Sequence, residues 1–136
     1  MVDGFCGAFR NVLNSCPQSR LVITGNGDFS KYIKESQDIR TKIIYTGMLE
    51  KAQLYEWYCF ADVGVIPSLF ESFGYVAVEM MMHGLSIAAT ATSGLNEVVD
   101  DTCGLKVPVN EHPDKRISEG SRNKVGKTCK EIRRYA

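Results

Sequence analysis

The chain has 136 residues, with lysine plus arginine and aspartate plus glutamate at 16 each, so its formal net charge is zero. That length suits one globular unit with a real core rather than two. The balanced charge gives no reason to name nucleic acid or an anionic membrane as the main partner, leaving a small neutral ligand or a locally handled anion.

Cys6, Cys16, Cys59, Cys103 and Cys129 form an odd set without a C-x-x-C pair. Their spacing suggests neither a disulfide framework nor a zinc site, and a reducing, cytoplasmic setting fits. No run approaches the roughly 18 apolar residues of a spanning helix, and the first residues lack a basic segment followed by a long apolar one.

In chain order, Phe9, Val12 and Leu13 fall at helical spacing within Gly7 to Leu13, and Pro17 stops that pattern. "RLVIT", Arg20 to Thr24, is a β-branched run closed by "GNGD", which reads as a buried strand and a tight turn. "SKYIKESQ" follows as a short helix. "KIIYTG", Lys42 to Gly47, repeats the strand-then-glycine arrangement, and "EKAQLYEWYCFA" then puts Leu54, Trp57, Tyr58 and Ala61 on one helical face. "DVGVIP" is a third strand, "SFGYVAVEMMMHG" a third β-α-type helix ended by Gly84, and "LSIAAT" a fourth strand. "SGLNEVVDD" supplies a short helix and "CGLKVPV" a last strand.

Strands alternating with helices through short loops imply an α/β fold: a mostly parallel, Rossmann-like sheet with helices on both faces. This unit is expected over residues 1–110. Residues 111–136 are polar and end basic, and read as a tail or peripheral helix with little to bury.

Glu71 and Glu79 stand eight residues apart in a mostly apolar segment. If the helix begins near Ser72 or Phe73, Glu71 sits at its mouth and Glu79 lies ~12 Å further along at ~1.5 Å per residue, a span that suits an extended ligand. Two helix carboxylates ordinarily mark a solvated face. Here Tyr75 to Val78 and Met80 to Met82 are apolar, so the helix is expected to be largely buried and Glu79 to need a hydrogen-bonding partner. Gly74 in the first turn bares backbone N–H groups at the positive end of the macrodipole, where phosphate oxygens bind well. A hydroxylated group at Glu71, a diphosphate over Phe73 to Tyr75 and a diol at Glu79 match the order of parts in a nucleotide sugar. Ligands of open parallel sheets bind beyond the carboxyl ends of the strands, where "GNGD", "TGML", "PSLFE" and "TATSG" all fall.

"ADVGVIPSLFESFGYVAVEMMMHGLSIAATATSGLNEVV" resembles the donor-binding half of retaining GT-B glycosyltransferases, with Pro-Ser, Glu, Phe-Gly, a second Glu after seven residues, and a Gly-x-x-Glu helix. "RLVITGNGDF" and "KIIYTGMLEKAQLYEWYCFADV" resemble the two β-α steps before it, so the match covers about Asp3 to Val109. The resemblance implies that Glu71 contacts hydroxyls of the transferred sugar, as the residue nearest the chemistry, without acting as a nucleophile. It implies that the segment Ser72, Phe73, Gly74 and Tyr75 holds the diphosphate through backbone N–H groups, and that Glu79 accepts from the ribose hydroxyls. It further implies that the Gly47, Met48, Leu49 turn borders the base. The activity implied is hexosyl transfer from a nucleotide diphosphate sugar to an acceptor in polysaccharide or glycoconjugate synthesis, with no cofactor and no metal.

Ser86 stands where the family has proline after the Gly84 turn. The upstream Arg and Lys that neutralise the diphosphate in the family have no counterpart here, and neither does the N-terminal acceptor-binding domain. The expectation is therefore a truncated donor domain, inactive alone, whose uncovered apolar surface favours self-association. A GT-B epimerase or phosphorylase shares the fold, and a non-catalytic nucleotide-sugar binding or interaction module is the alternative of another class.

Other residues carry blander readings. "GNGD" is a plain tight turn, His83 caps a helix end, and the three consecutive methionines fill core. Trp57 and Tyr58 pack their helix on the sheet. Glu97 braces a helix start or meets the sugar. Lys124, Lys127, Lys130, Arg133 and Arg134 form a solvated tail, or touch acidic lipid or a partner, and peripheral membrane association of the parent is a separate expectation.

Overall fold

In the computed structural model of the protein, residues 2–108 are described, with side chains from Cys6 onward. The tail expected over 111–136 lies outside them. The elements alternate as α1 (Val2–Ser15), β1 (Leu21–Thr24), α2 (Ser30–Glu35), β2 (Ile43–Gly47), α3 (Lys51–Phe60), β3 (Val63–Ile66), α4 (Tyr75–Met82), β4 (Ser86–Thr90), α5 (Ser93–Val98) and β5 (Gly104–Val107). All three strand pairings are parallel, which gives the expected α/β class. They form a two-stranded sheet, β1-β2, and a three-stranded sheet, β3-β4-β5. The chain divides into two compact units, one holding residues up to Glu50 and the other beginning at Lys51.

In the first unit, Leu21 pairs with Ile43 and Ile23 with Tyr45, and the register slips by one residue so that Thr24 meets Gly47. The slip brings the two glycine turns together, where Gly25 N–H donates to the Gly47 carbonyl at 3.0 Å. α1 is longer at both ends than the periodicity of its apolar residues indicates. It buries Cys6 and Phe9, and its Arg10 donates to both carboxylate oxygens of Asp38 at 2.8 and 2.7 Å and to the Glu35 carbonyl at 2.6 Å. That guanidinium holds the Asp38 carboxyl below the usual carboxylate range. A 3-10 turn over Gln37–Lys42, absent from the sequence reading, feeds β2. Fully buried Ser36 anchors it, donating to the Tyr32 carbonyl at 2.7 Å and sharing a hydrogen bond with the Tyr45 hydroxyl at 3.1 Å.

In the second unit β4 is central, and Ile87, Ala88 and Ala89 are buried, as expected of a strand covered on both faces. Tyr58, Ile66, Ala77, Leu85, Ile87, Ala89, Leu95 and Val99 make one core. Each larger member contributes about 1.5–3 kcal/mol by leaving water. α3 presents Leu54, Tyr55 and Tyr58 to this core, whereas Trp57 is only half-buried and Ala61 is exposed. Tyr58 thus packs as expected and Trp57 does not, because the buried stripe runs through Leu54, Tyr55 and Tyr58, with Tyr58 four positions from Leu54 and three from Tyr55, and leaves Trp57 at its margin. α4 also differs from expectation. Only Ala77 is fully buried, Tyr75, Val76 and Met82 are exposed, and Met80 and Met81 alone of the three methionines pack on the core.

Candidate functional site

The loop Pro67–Gly74 leaves the carboxyl end of β3 and enters α4, and three contacts fix its path. Thr90, the last residue of β4, donates its hydroxyl to the carbonyls of Ser68 and, at 3.4 Å, Ile66. At the start of α5, Gly94 N–H donates to the Glu71 carbonyl at 3.0 Å, and Ser93 Oγ reaches the same oxygen at 3.5 Å. Gly94 must lack a side chain, since a Cβ there would stand 2.5 Å from Glu71 O, Phe73 N and the Ser72 carbonyl carbon. A backbone approach this close is a main reason for glycine in a rigid site.

Gly74 turns the chain into the helix. Its φ of +87° and ψ of 40° are left-handed, so α4 begins at Tyr75 rather than at Ser72 or Phe73. The axial spacing expected between the two acids therefore does not apply, because Glu71 lies outside the helix and Glu79 is only four positions past its first residue, Tyr75. The side of Gly74 where a Cβ would project is closed by Leu95 Cδ2 and Val98 Cγ2, at 3.0 and 3.1 Å.

Glu71 is half-buried at the helix mouth, and its Oε1 accepts from Gly74 N–H at 3.2 Å. One of the N–H groups expected to face a phosphate therefore meets an internal carboxylate. The N–H groups of the first helical turn have no intrahelical acceptor by construction, and the macrodipole adds positive potential there. Ser72 is exposed at this mouth, and the Phe73 and Tyr75 rings, 42% and 71% exposed, stand 4.7 Å apart between centroids.

Glu79 has the partner its apolar surroundings require. Its Oε1 lies 3.1 Å from Lys51 Nζ, which also sits 5.9 Å from the Tyr55 ring centroid. The hydrogen bond to Glu79 raises the lysine pKa above its ordinary value. Burial raises that of the Tyr58 phenol, with the Glu79 charge adding to it. His83 ends α4 as the sequence suggests, and its Nδ1 lies 2.7 Å from the Glu79 carbonyl; since a carbonyl only accepts, Nδ1 carries the proton. The imidazole packs on Tyr55, with centroids 4.6 Å apart. Glu97 is exposed on α5, while Ser93 and Gly94 at the start of that helix brace the Glu71 carbonyl.

Gly47, Met48 and Leu49 belong to the first unit at the carboxyl end of β2, where Gly47 has a φ of +73° and Met48 is exposed. The sequence reading gives no role to Lys51 or Thr90, and it names Gly94 only as the first residue of the Gly-x-x-Glu helix. Gly94 alone left a local signal, as a glycine placed inside a helical segment, where it costs about 1 kcal/mol against alanine and so asks for a packing reason.

Among the described residues no helix is long and apolar enough to cross a membrane. A sequence model of the family described as glycosyl transferases group 1 matches residues 1–119. The chain is 36% identical over 84 residues to an uncharacterized glycosyltransferase of Methanocaldococcus jannaschii, covering 60% of this chain and 22% of that protein. It is 28% identical over 108 residues to alpha-monoglucosyldiacylglycerol synthase of Streptococcus pneumoniae, covering 77% of this chain and 24% of the synthase. It thus spans about a quarter of the length of these relatives. Among solved structures, WaaG, a glycosyltransferase involved in lipopolysaccharide biosynthesis, superposes with a TM-score of 0.74 at 18% identity, over 96% of this chain and 34% of WaaG. The GtfA/B complex does so at 0.75 and 17%, over 96% of this chain and 26% of the matched one. These likenesses show the fold, that of GT-B glycosyltransferases, and the family match over most of the chain shows the lineage: the chain belongs to the group 1 glycosyl transferases.

Proposed function

We propose that this chain supplies the donor-binding part of a retaining glycosyltransferase that moves a hexosyl group from a nucleotide diphosphate sugar to an acceptor. The observation that carries the reading is the braced loop Pro67–Gly74, which brings a carboxylate, Glu71, to the N-terminal mouth of α4 while a second, Glu79, lies one turn inside. Free N–H groups at that mouth meet the diphosphate, without a metal ion, and the two acids accept from hydroxyls on either side. Glu71 Oε1 and a phosphate oxygen compete for the Gly74 N–H. Donor binding therefore releases that carboxylate toward the sugar, which it orients.

The chemical step needs stabilisation of negative charge on the departing diphosphate as oxocarbenium character grows at the anomeric carbon. Preorganised N–H donors aimed at that charge serve this purpose, and one such donor is worth about 3–4 kcal/mol in other enzymes. Acceptor binding falls to a further domain, in keeping with the share of its relatives that the chain spans. In this reading the chain alone binds donor and transfers nothing.

Calorimetric titration with UDP-, GDP- and ADP-glucose, on the native chain and on Glu79→Ala, tests this. One of the three is expected to bind, with the substitution weakening it about tenfold, the loss of roughly 1.4 kcal/mol from a charged hydrogen bond. A measurable affinity that Glu79→Ala leaves unchanged would remove the ribose assignment.

A further inference from the structure

Glu79 is held from two directions. Lys51 takes its Oε1 at 3.1 Å, and His83 takes its main-chain carbonyl at 2.7 Å. Tyr55 backs both, its ring centroid 5.9 Å from Lys51 Nζ and 4.6 Å from that of His83. Lys51 holds the carboxylate from α3, while His83 holds the main chain of α4 that carries it.

Stability is a weak reason for such an arrangement. The Lys51 side chain is 73% exposed, and ion pairs of that kind contribute about 0–1 kcal/mol. Orientation is a stronger one. A glutamate side chain loses up to about 2 kcal/mol of rotamer freedom when it is ordered, and a ligand that must order it binds that much more weakly. A carboxylate already fixed through one oxygen offers the other without that loss.

We propose that Lys51 is a positioning residue for Glu79, holding the carboxylate through Oε1 so that Oε2 accepts from the hydroxyl pair of a sugar-containing ligand. This rests on the donor-binding reading above. Lys51 acts through Glu79 and makes no ligand contact of its own, so its effect exists only while the glutamate is present.

A double-mutant cycle read by calorimetry tests this, using UDP-, GDP- and ADP-glucose on the 136-residue chain. Lys51→Ala is expected to weaken the sugar that binds about three- to fivefold, with the thermal midpoint moving by less than about 2 °C. Lys51→Arg, which keeps the charge, restores affinity to within about twofold, and in the Glu79→Ala background Lys51→Ala has no further effect. A merely structural lysine would move the midpoint and not the affinity. Unchanged affinity in Lys51→Ala, or the same fold-loss with and without Glu79, overturns the inference. If Glu79→Ala weakens binding and Lys51→Ala does not, only the positioning role falls. If none of the three sugars binds the native chain, the donor reading falls and this inference with it.

Discussion

Gly94→Ala places one methyl group where three backbone atoms already stand. The new Cβ would lie 2.5 Å from Glu71 O, Phe73 N and the Ser72 carbonyl carbon, so the loop must retreat by about half an ångström to reach even 3.0 Å. These atoms are main chain, and they cannot rotate aside as the end of a side chain would. Overpacking of this kind costs about 1–3 kcal/mol, and the Gly94 N–H to Glu71 carbonyl bond, 3.0 Å long, is strained with it. Alanine is intrinsically the better helix former by up to about 1 kcal/mol, which offsets only the low end of that range. The net expectation is a loss of about 1–2 kcal/mol in urea unfolding. Donor affinity falls about tenfold or more, because the shifted loop carries Glu71 and the approach to α4. Urea denaturation followed by circular dichroism and a donor titration read the two effects. An unfolding midpoint equal to or above that of the native chain, with unchanged affinity, would refute the claim that Gly94 holds the loop.

Thr90→Val keeps the shape but removes the hydroxyl that bonds the Ser68 and Ile66 carbonyls. It is expected to cost about 1–2 kcal/mol and to speed amide exchange through Ser68–Glu71, so unchanged exchange there would count against the contact. Asp38, held low by Arg10, contributes stability at pH above its unfolded value near about 4, and that stability is lost as pH falls through the lower folded value. Asp38→Asn is therefore expected to lower stability at pH 7 and to flatten the decline below about pH 4; an acid limb identical to that of the native chain would show that the pair does nothing.

Strands were the most legible part of the fold. Each is a β-branched or small-residue run ended by a turn signal, and β1 through β5 fall where those runs stand. Helix starts were harder. The start of α4 depends on Gly74 taking a left-handed φ, and the space a side chain would need there is closed by Leu95 and Val98 from another element. The 3-10 turn over Gln37–Lys42 carries no helical apolar period, and its anchor, Ser36, is buried by tertiary contacts with Tyr45. The half-burial of Trp57 and the exposure of Ala61 and Met82 show the same limit. Composition says that a helix is apolar, but which side meets the sheet depends on where the helix docks.

The candidate site divides the same way. Glu71, Gly74 and Glu79 were readable as candidates because they stand in one short motif, although their local geometry was not. Lys51, 28 residues before Glu79, and Gly94, 23 after Glu71, act through contacts that only the folded chain makes. The capture of Gly74 N–H by Glu71 was equally hidden, since it follows from the reversal of the chain at Gly74.

A diphosphate bound at the mouth of α4 would lie against the backbone amides of Phe73 to Tyr75. Amide chemical-shift mapping of the chain, titrated with UDP-, GDP- and ADP-glucose, tests that placement directly. The largest shifts are expected on Phe73, Gly74 and Tyr75, with the Gly74 amide changing as it leaves Glu71 for phosphate. Saturable binding with those three amides unmoved would contradict it.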